Sequence, residues 1–463
     1  MARSVIANAQ RCVNLYPEKN TEDSPFPFTH YPRAGSLALA LPPVLGRGRG
    51  IYLATNDVVY CVVGQGFYKL NPDYSFAQLG TISAGFSMVS MQDNGLVLVL
   101  VDGTPVGYQL DLTTEVFSQI VDPAFYGADK VDYLDTFTIF NKPKTKFFYS
   151  TLSNTIAPFD PLYFAGKVGY PDKLQTLAVM HKEIWLFGTQ KTTEVWYNSG
   201  GPQFPFEALP GAFIEHGCVA KYSVAKHGLM LFWLARDKDG RGIILKGENY
   251  TATRLSTPAI EAEIGKYALT SDAIGFCYQQ LGHVYYVLTF PTADKTWVVD
   301  IGNGLWHEET WTDQQGAEHR IRASCSCFGM DKNLALDWEN GTLFSFEPGV
   351  YEDLGQPIVF RRGFPHLVQK GDRQSYNSFV ADVQGGEGED NDPGPIYLRW
   401  SDTRGRTWGS PVAQEFAIQG NYLAQPQWQR LGLARDRVFE VFWSGNLFTA
   451  LNGGYVDASP SGS

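Results

Sequence analysis

Short apolar runs punctuated by Gly, Asp, Asn and Pro dominate the chain, and helical periodicity is scarce. Seven runs stand out: Val58–Val63, Leu96–Val101, Phe137–Phe140, Ile184–Phe187, Leu229–Leu234, Val284–Thr289 and Leu334–Trp338. Their centres recur at about 46 residues, the size of one propeller blade. The segments between them alternate aromatic and polar positions, as in Gly66–Gly80, Pro105–Ile120, Thr296–Trp311 and Gly341–Gly355. A strand buried on both faces reads as continuously apolar, whereas a half-exposed strand alternates. Each unit therefore predicts a four-stranded antiparallel meander, and stacked units bury each other's faces and leave short edges. Tandem sandwiches would also space hairpins evenly, but a period kept over roughly 300 residues favours a propeller. The expected fold is all-β: a six- or seven-bladed β-propeller over residues 47–356. One helix is predicted, Thr257 to Leu269, with Pro258 near its start and about three turns.

Two regions fall outside the repeat. Residues 1–46 carry Pro17, Pro25, Pro27, Pro32, Pro42 and Pro43, which predicts an extended N-terminal arm. Its composition suits bracing along the body or along a neighbouring subunit. Residues 357–463 hold longer alternating strands, predicting a small β-sandwich-like domain. Within it, Glu387, Glu389, Asp390 and Asp392 crowd one hairpin tip without the ligand spacing of a calcium loop. A solvated tip is the simpler reading.

Composition narrows the function. The 463 residues are 14% aromatic and only 18% charged, with 37 basic against 48 acidic side chains and a net charge of −11. A protein that grips nucleic acid by its phosphates should be basic, so groove binding is disfavoured. No apolar run reaches membrane-spanning length, and Met1 to Gln10 shows no secretory h-region. The expectation is synthesis in a cytosol, with Cys12, Cys61, Cys218, Cys277, Cys325 and Cys327 as reduced thiols. The sequons at Asn249 and Asn340 then read as turn chemistry.

Candidate chemistry is sparse. The eight histidines stand singly, without zinc spacing. His307-Glu308-Glu309 is the nearest approach to a metal or acid–base cluster, and a surface hairpin explains it more simply. Asp237-Lys238-Asp239-Gly240 stops after half a calcium loop and reads as a hairpin turn. Gly46-Arg47-Gly48-Arg49-Gly50 runs into a strand, whereas phosphate cradles precede a helix. No nucleophile elbow or Walker lysine occurs. No catalytic residue, metal site or cofactor is expected. Ser401 to Trp408 resembles the Asp-box hairpin of sialidases and other β proteins. Ser401, Gly405, Thr407 and Trp408 match, and Thr403 stands at the motif's Asp position. The box is a folding device in which glycine supplies the positive φ of the turn. Trp185, Trp196, Trp233, Trp297 and Trp306 could stack sugars, which makes a carbohydrate-binding or glycoside-degrading propeller the rival reading. At alternating strand positions they fit inter-blade packing better.

Three motifs in order resemble the packaged-DNA stabilisation proteins of short-tailed bacteriophages, the tail accessory factors of the tail hub or nozzle. Cys12-Val13-Asn14-Leu15-Tyr16-Pro17-Glu18 looks like that family's opening signature. Gly46–Gly50 running into Ile51–Thr55, then Val58–Cys61 and Gly66-Phe67-Tyr68-Lys69-Leu70, is similar to its first blade. Trp428-Gln429-Arg430-Leu431-Gly432 with Arg435 to Trp443 looks like its closing strands. In the middle blades the likeness is of pattern rather than residues. The resemblance implies a structural virion protein, made in the host cytoplasm and carried in the tail. It implies a ring of six copies below the portal and adaptor, through which double-stranded DNA passes without specific binding. Tail fibres or tailspikes would dock on it, and no catalytic residues come with the family. The acidic balance agrees, because an acidic channel wall repels phosphates and lets a duplex slide.

Overall fold

The computed structural model describes residues 11–369, 371–384, 394–416, 420–445 and 447–461. Every one of the seven apolar runs becomes the second strand of a four-stranded antiparallel meander, and the sixth and seventh meanders continue into larger sheets. These strands are Val59–Val63, Val97–Val101, Phe137–Asn141, Glu183–Gly188, Met230–Arg236, His283–Phe290 and Lys332–Asp337. They are buried almost throughout, which is why their sequences carry no alternation. The first strands, from Gly48–Leu53 to Ala323–Gly329, stand around the axis, and the seventh closes against the first. In the first, second and sixth sheets the third and fourth strands come from the aromatic-alternating segments. Between neighbouring sheets lie separate apolar clusters, such as Trp185, Phe187, Leu231 and Trp233 between the fourth and fifth. The chain is thus an all-β propeller.

The predicted helix is shorter than expected, Pro258–Ile264. Thr257 Oγ1 accepts from Ile260 N at its start, and Gly265 ends it. Glycine is among the poorest helix formers, so the last expected turn does not form beyond Gly265.

The proline-rich segment does more than pack along the body: it is woven into the sheets. Cys12–Val13 pairs with Val359–Gly363 on one side and, in parallel, with Trp306–Glu308 of the sixth sheet on the other. Leu15–Lys19 and Phe28–Pro32 form a hairpin beside Ala450–Pro460. After two linking residues, Gly35–Ala40 becomes the fourth strand of the seventh sheet, antiparallel to Leu343–Glu347. The propeller is therefore closed by a strand from the opposite end of the chain. A Cβ at Gly35 would lie 2.4 Å from Glu352 O and 2.6 Å from Val350 O, so only glycine fits this crossing.

The C-terminal part is a sandwich of two sheets. Val359–Gly363, Asp436–Ser444, Pro395–Ser401 and Val412–Glu415 continue outward from Cys12–Val13. The facing sheet runs from Leu15–Lys19 through Phe28–Pro32, Ala450–Pro460 and Gln374–Gln384 to Gln427–Ala434. Phe360, Tyr376, Phe379, Trp428, Phe439 and Trp443 fill the space between them.

His30 lies buried in this sandwich with Nδ1 3.2 Å from Leu451 O. Burial pushes its imidazole down to about 3, and Arg362 adds to the effect. In the unfolded chain the same group titrates near the ordinary histidine value of about 6.5. The unfolded state therefore binds the extra proton between these values, and stability is lost as pH falls through that window. Between pH 7 and pH 5 this single group costs about 2 kcal/mol. Urea unfolding at both pH values should show a loss smaller by that amount in His30→Asn, whose amide can still donate to Leu451 O.

Candidate functional site

The Asp-box-like residues form the turn between Pro395–Ser401 and Val412–Glu415. Ser401 Oγ accepts from Gly405 N at 2.9 Å and from Thr403 N at 3.3 Å. Thr403 Oγ1 accepts from Thr407 N at 2.8 Å, so a hydroxyl does the work of the missing aspartate. Gly405 has φ +79°, and the Arg399 guanidinium lies 4.8 Å from the ring of half-buried Trp408. The group is a self-satisfied turn. The acidic tip with Glu387, Glu389, Asp390 and Asp392 lies outside the described residues.

The reading of His307-Glu308-Glu309 as a surface hairpin is wrong, because all three side chains are buried. The strand Trp306–Glu308 lies where the sixth sheet meets the sandwich, with Cys12–Val13 covering its outer edge. His307 Nε2 stands 3.3 Å from Glu309 Oε1. Glu308 begins a chain of charges that alternates in sign from propeller to sandwich. It receives Lys295 at 2.7 Å and Arg11 at 3.4 Å. Arg11 also pairs with Glu318, and Glu318 with Arg361 at 3.0 Å. Arg361 donates to Glu440 at 2.8 Å, and Arg399 Nε reaches the same carboxylate at 2.7 Å. Burial would raise the Glu318 carboxyl, but Arg11 and Arg361 outweigh it and hold it below the usual range. Shared pairing of this kind lets charges stay ionised where lone ones could not.

Arg33 is the second bolt of this junction. It sits in the two-residue link between sandwich and propeller and pairs with Asp353, on the chain's return path. It also donates to Asn14 Oδ1 at 2.9 Å and to Thr310 O at 3.1 Å. Asn14 in turn accepts from Thr310 N and donates to Val359 O. Sequence reasoning missed Arg11, Asn14, Arg33 and Asp353, whose partners lie hundreds of positions away.

The tryptophans offered for sugar stacking face inward. Trp185, Trp196, Trp233 and Trp297 are buried, and half-buried Trp306 donates its indole N–H to Leu255 O. All six cysteines are free thiols. Among the described residues, no three His, Cys, Asp or Glu side chains are placed to hold a metal ion, and no helix is long and apolar enough to cross a membrane.

One surface stands out instead. The strand Gly35–Ala40 is paired along its whole length on one side; on the other it meets Glu352–Asp353 at Ser36, and among the described residues no strand pairs with Leu37–Ala40 there. Beyond it Leu41, Val44 and Leu45 are each about two-thirds exposed. They flank a groove of about 590 Å³ lined by Leu39, Leu41, Trp311, Arg322 and Leu354. A strand left half unpaired on one side, with exposed leucines beyond it, is a surface open to a partner.

Seven meanders closed around an axis, with a two-sheet sandwich bolted to the rim, define the class as a β-propeller with an appended domain. A family model described as "Bacteriophage P22 Gp10, beta-propeller" matches residues 36–335, from the closing strand to the seventh sheet, and the chain belongs to that family. Three solved structures are similar in fold. A chain of the mitotic checkpoint complex has 12% identity and a TM-score of 0.44, covering 72% of this chain and 96% of its own. The N-terminal domain of Nup159 has 9% identity and a TM-score of 0.41, covering 72% and 98%. The WD40 β-propeller domain of Doa1 has 13% identity and a TM-score of 0.43, covering 68% and 98%. Among curated proteins, no sequence matches the chain.

Proposed function

We propose that this protein is a structural component of the virion in a short phage tail, the hub or nozzle that extends the portal–adaptor channel. The observation that carries the reading is the family match across the propeller. In this role six copies form a ring, help retain packaged DNA and present loops on which tail fibres or tailspikes dock. In this reading the propeller axis, around which the first strands pack, is not the DNA path. The duplex would run between copies, past surfaces of a chain whose net charge is −11.

The exposed edge beside Gly35–Ala40 is the ring contact in this reading. Leu41→Asp combined with Leu45→Asp is expected to turn the ring into monomers in sedimentation analysis, with the unfolding transition unchanged. A ring that persists would place the contact elsewhere. The function itself is tested by assembling the protein with its portal and adaptor and imaging the complex. A coaxial ring is expected. A chain that stays monomeric beside that assembly and hydrolyses polysaccharide would overturn the proposal.

A further inference from the structure

The first strands of the sheets begin together at one end of the propeller axis, around the cavity of about 160 Å³. Ser90, Lys130, Lys221, Tyr222 and Ser326 line it from four different sheets or the turns that lead into them. Arg47 lies beside it, coupled electrostatically to Tyr222 and Cys325. Two of the carboxylates nearby are already engaged. Asp129 pairs with Lys221 and accepts from Asn141 Nδ2 at 3.2 Å. Asp132 accepts from the backbone N–H groups of Tyr133 and Val179. Asp272, two positions before the lining Ile274, accepts from Thr292 N, keeps Oδ1 unpartnered and couples to Arg320.

Lys130 and Arg47, in contrast, have no carboxylate within ion-pair distance among the described residues. Burial pulls the Lys130 ammonium below its ordinary value; Asp132 opposes this and Lys226 adds to it. Two buried polar atoms here, Ser326 Oγ and Arg47 Nε, also lack hydrogen-bond partners, and the Tyr222 hydroxyl, close to Lys221 and Ser87, is not within full hydrogen-bond geometry of either. Buried donors are normally satisfied, so Tyr222 and Ser326 on the wall of a cationic cavity, with Arg47 beside it, call for an acceptor that carries negative charge. Water could satisfy the hydroxyls but would leave the positive charge unbalanced. We propose that this axial cavity binds a small tetrahedral oxyanion of the phosphate class, held by the charges of Lys130 and Arg47 and by hydrogen bonds from Tyr222 and Ser326. The site is independent of the tail assignment.

Calorimetric titration of the full chain with inorganic phosphate, at constant ionic strength, tests it. One saturable site is expected, with sulfate competing and chloride not. Lys130→Met should weaken binding by about tenfold or more, the scale of one charge-assisted hydrogen bond. Tyr222→Phe removes one hydroxyl and keeps the ring, so the fold is kept and affinity should fall about fivefold. A phosphate monoester that competes marks a site open to esterified phosphate; one that does not marks a site for the free ion. Both results support the oxyanion assignment. No saturable heat at millimolar phosphate, or equal affinities in the wild type and both variants, would overturn it.

Discussion

Replacing Arg33 by alanine will destabilise the protein by about 3–5 kcal/mol, the range for breaking a buried ion pair from one side. The guanidinium is nearly inaccessible and pairs with an equally buried Asp353. Its removal strands that carboxylate, leaving it only the hydroxyl of Ser36. It also unpairs Thr310 O and loosens the Asn14 side chain that holds Val359 O. Because Arg33 lies on the outgoing link and Asp353 on the return path, the loss falls on both crossings between propeller and sandwich at once. Urea unfolding should show the shift, and protease should cut near residues 33–35 or 350–356 in the variant before it cuts the propeller. Arg33→Met with Asp353→Leu should recover most of the loss, since two apolar groups leave no charge unpaired. A cost below about 1 kcal/mol for Arg33→Ala would mean the pair behaves like a surface salt bridge.

The sequence exposes the propeller and hides this junction for the same physical reason. A second strand such as Val97–Val101 is buried on both faces by its own sheet's neighbours, so its signal is local and continuous. The first strand Ser90–Asp93 mixes polar and apolar positions because it borders the axis, and no period marks it. Gly35–Ala40 pairs with residues some 300 positions away. Its Gly-Ser-Leu-Ala-Leu-Ala pattern does alternate, but the flanking prolines pull the reading toward an arm. His307-Glu308-Glu309 looks like surface because three polar residues in a row ordinarily are. Only Arg11, Lys295 and the covering strand Cys12–Val13 make their burial tolerable, and none of these is a neighbour in sequence. The Asp-box-like turn is legible because the hydrogen bonds of Ser401 and Thr403 that shape it close within eight residues, Ser401 to Trp408.

Trp233→Ala is expected to cost about 3–5 kcal/mol, the range for truncating a large buried aromatic side chain, without any change in affinity for host-surface polysaccharide. Its indole lies between the fourth and fifth sheets, tilted against Phe187 at 5.2 Å, and donates to Gly217 O at 3.1 Å. Gly247 has no side chain, and a Cβ there would come within 2.8 Å of the Trp233 ring and 3.0 Å of Trp185. Both indoles are fully enclosed, so a sugar could reach neither without parting two sheets. Truncation leaves a cavity bounded by sheets that cannot collapse, because each is also held by its neighbours on the other side. Trp233→Phe should cost less, retaining the contact with Phe187 while losing the indole N–H. Far-UV dichroism during urea unfolding gives the stability, and glycan binding by the folded variants gives the second readout. A variant that keeps its stability and loses glycan binding would turn these indoles from mortar between blades into a binding surface, and with them the propeller into a carbohydrate reader.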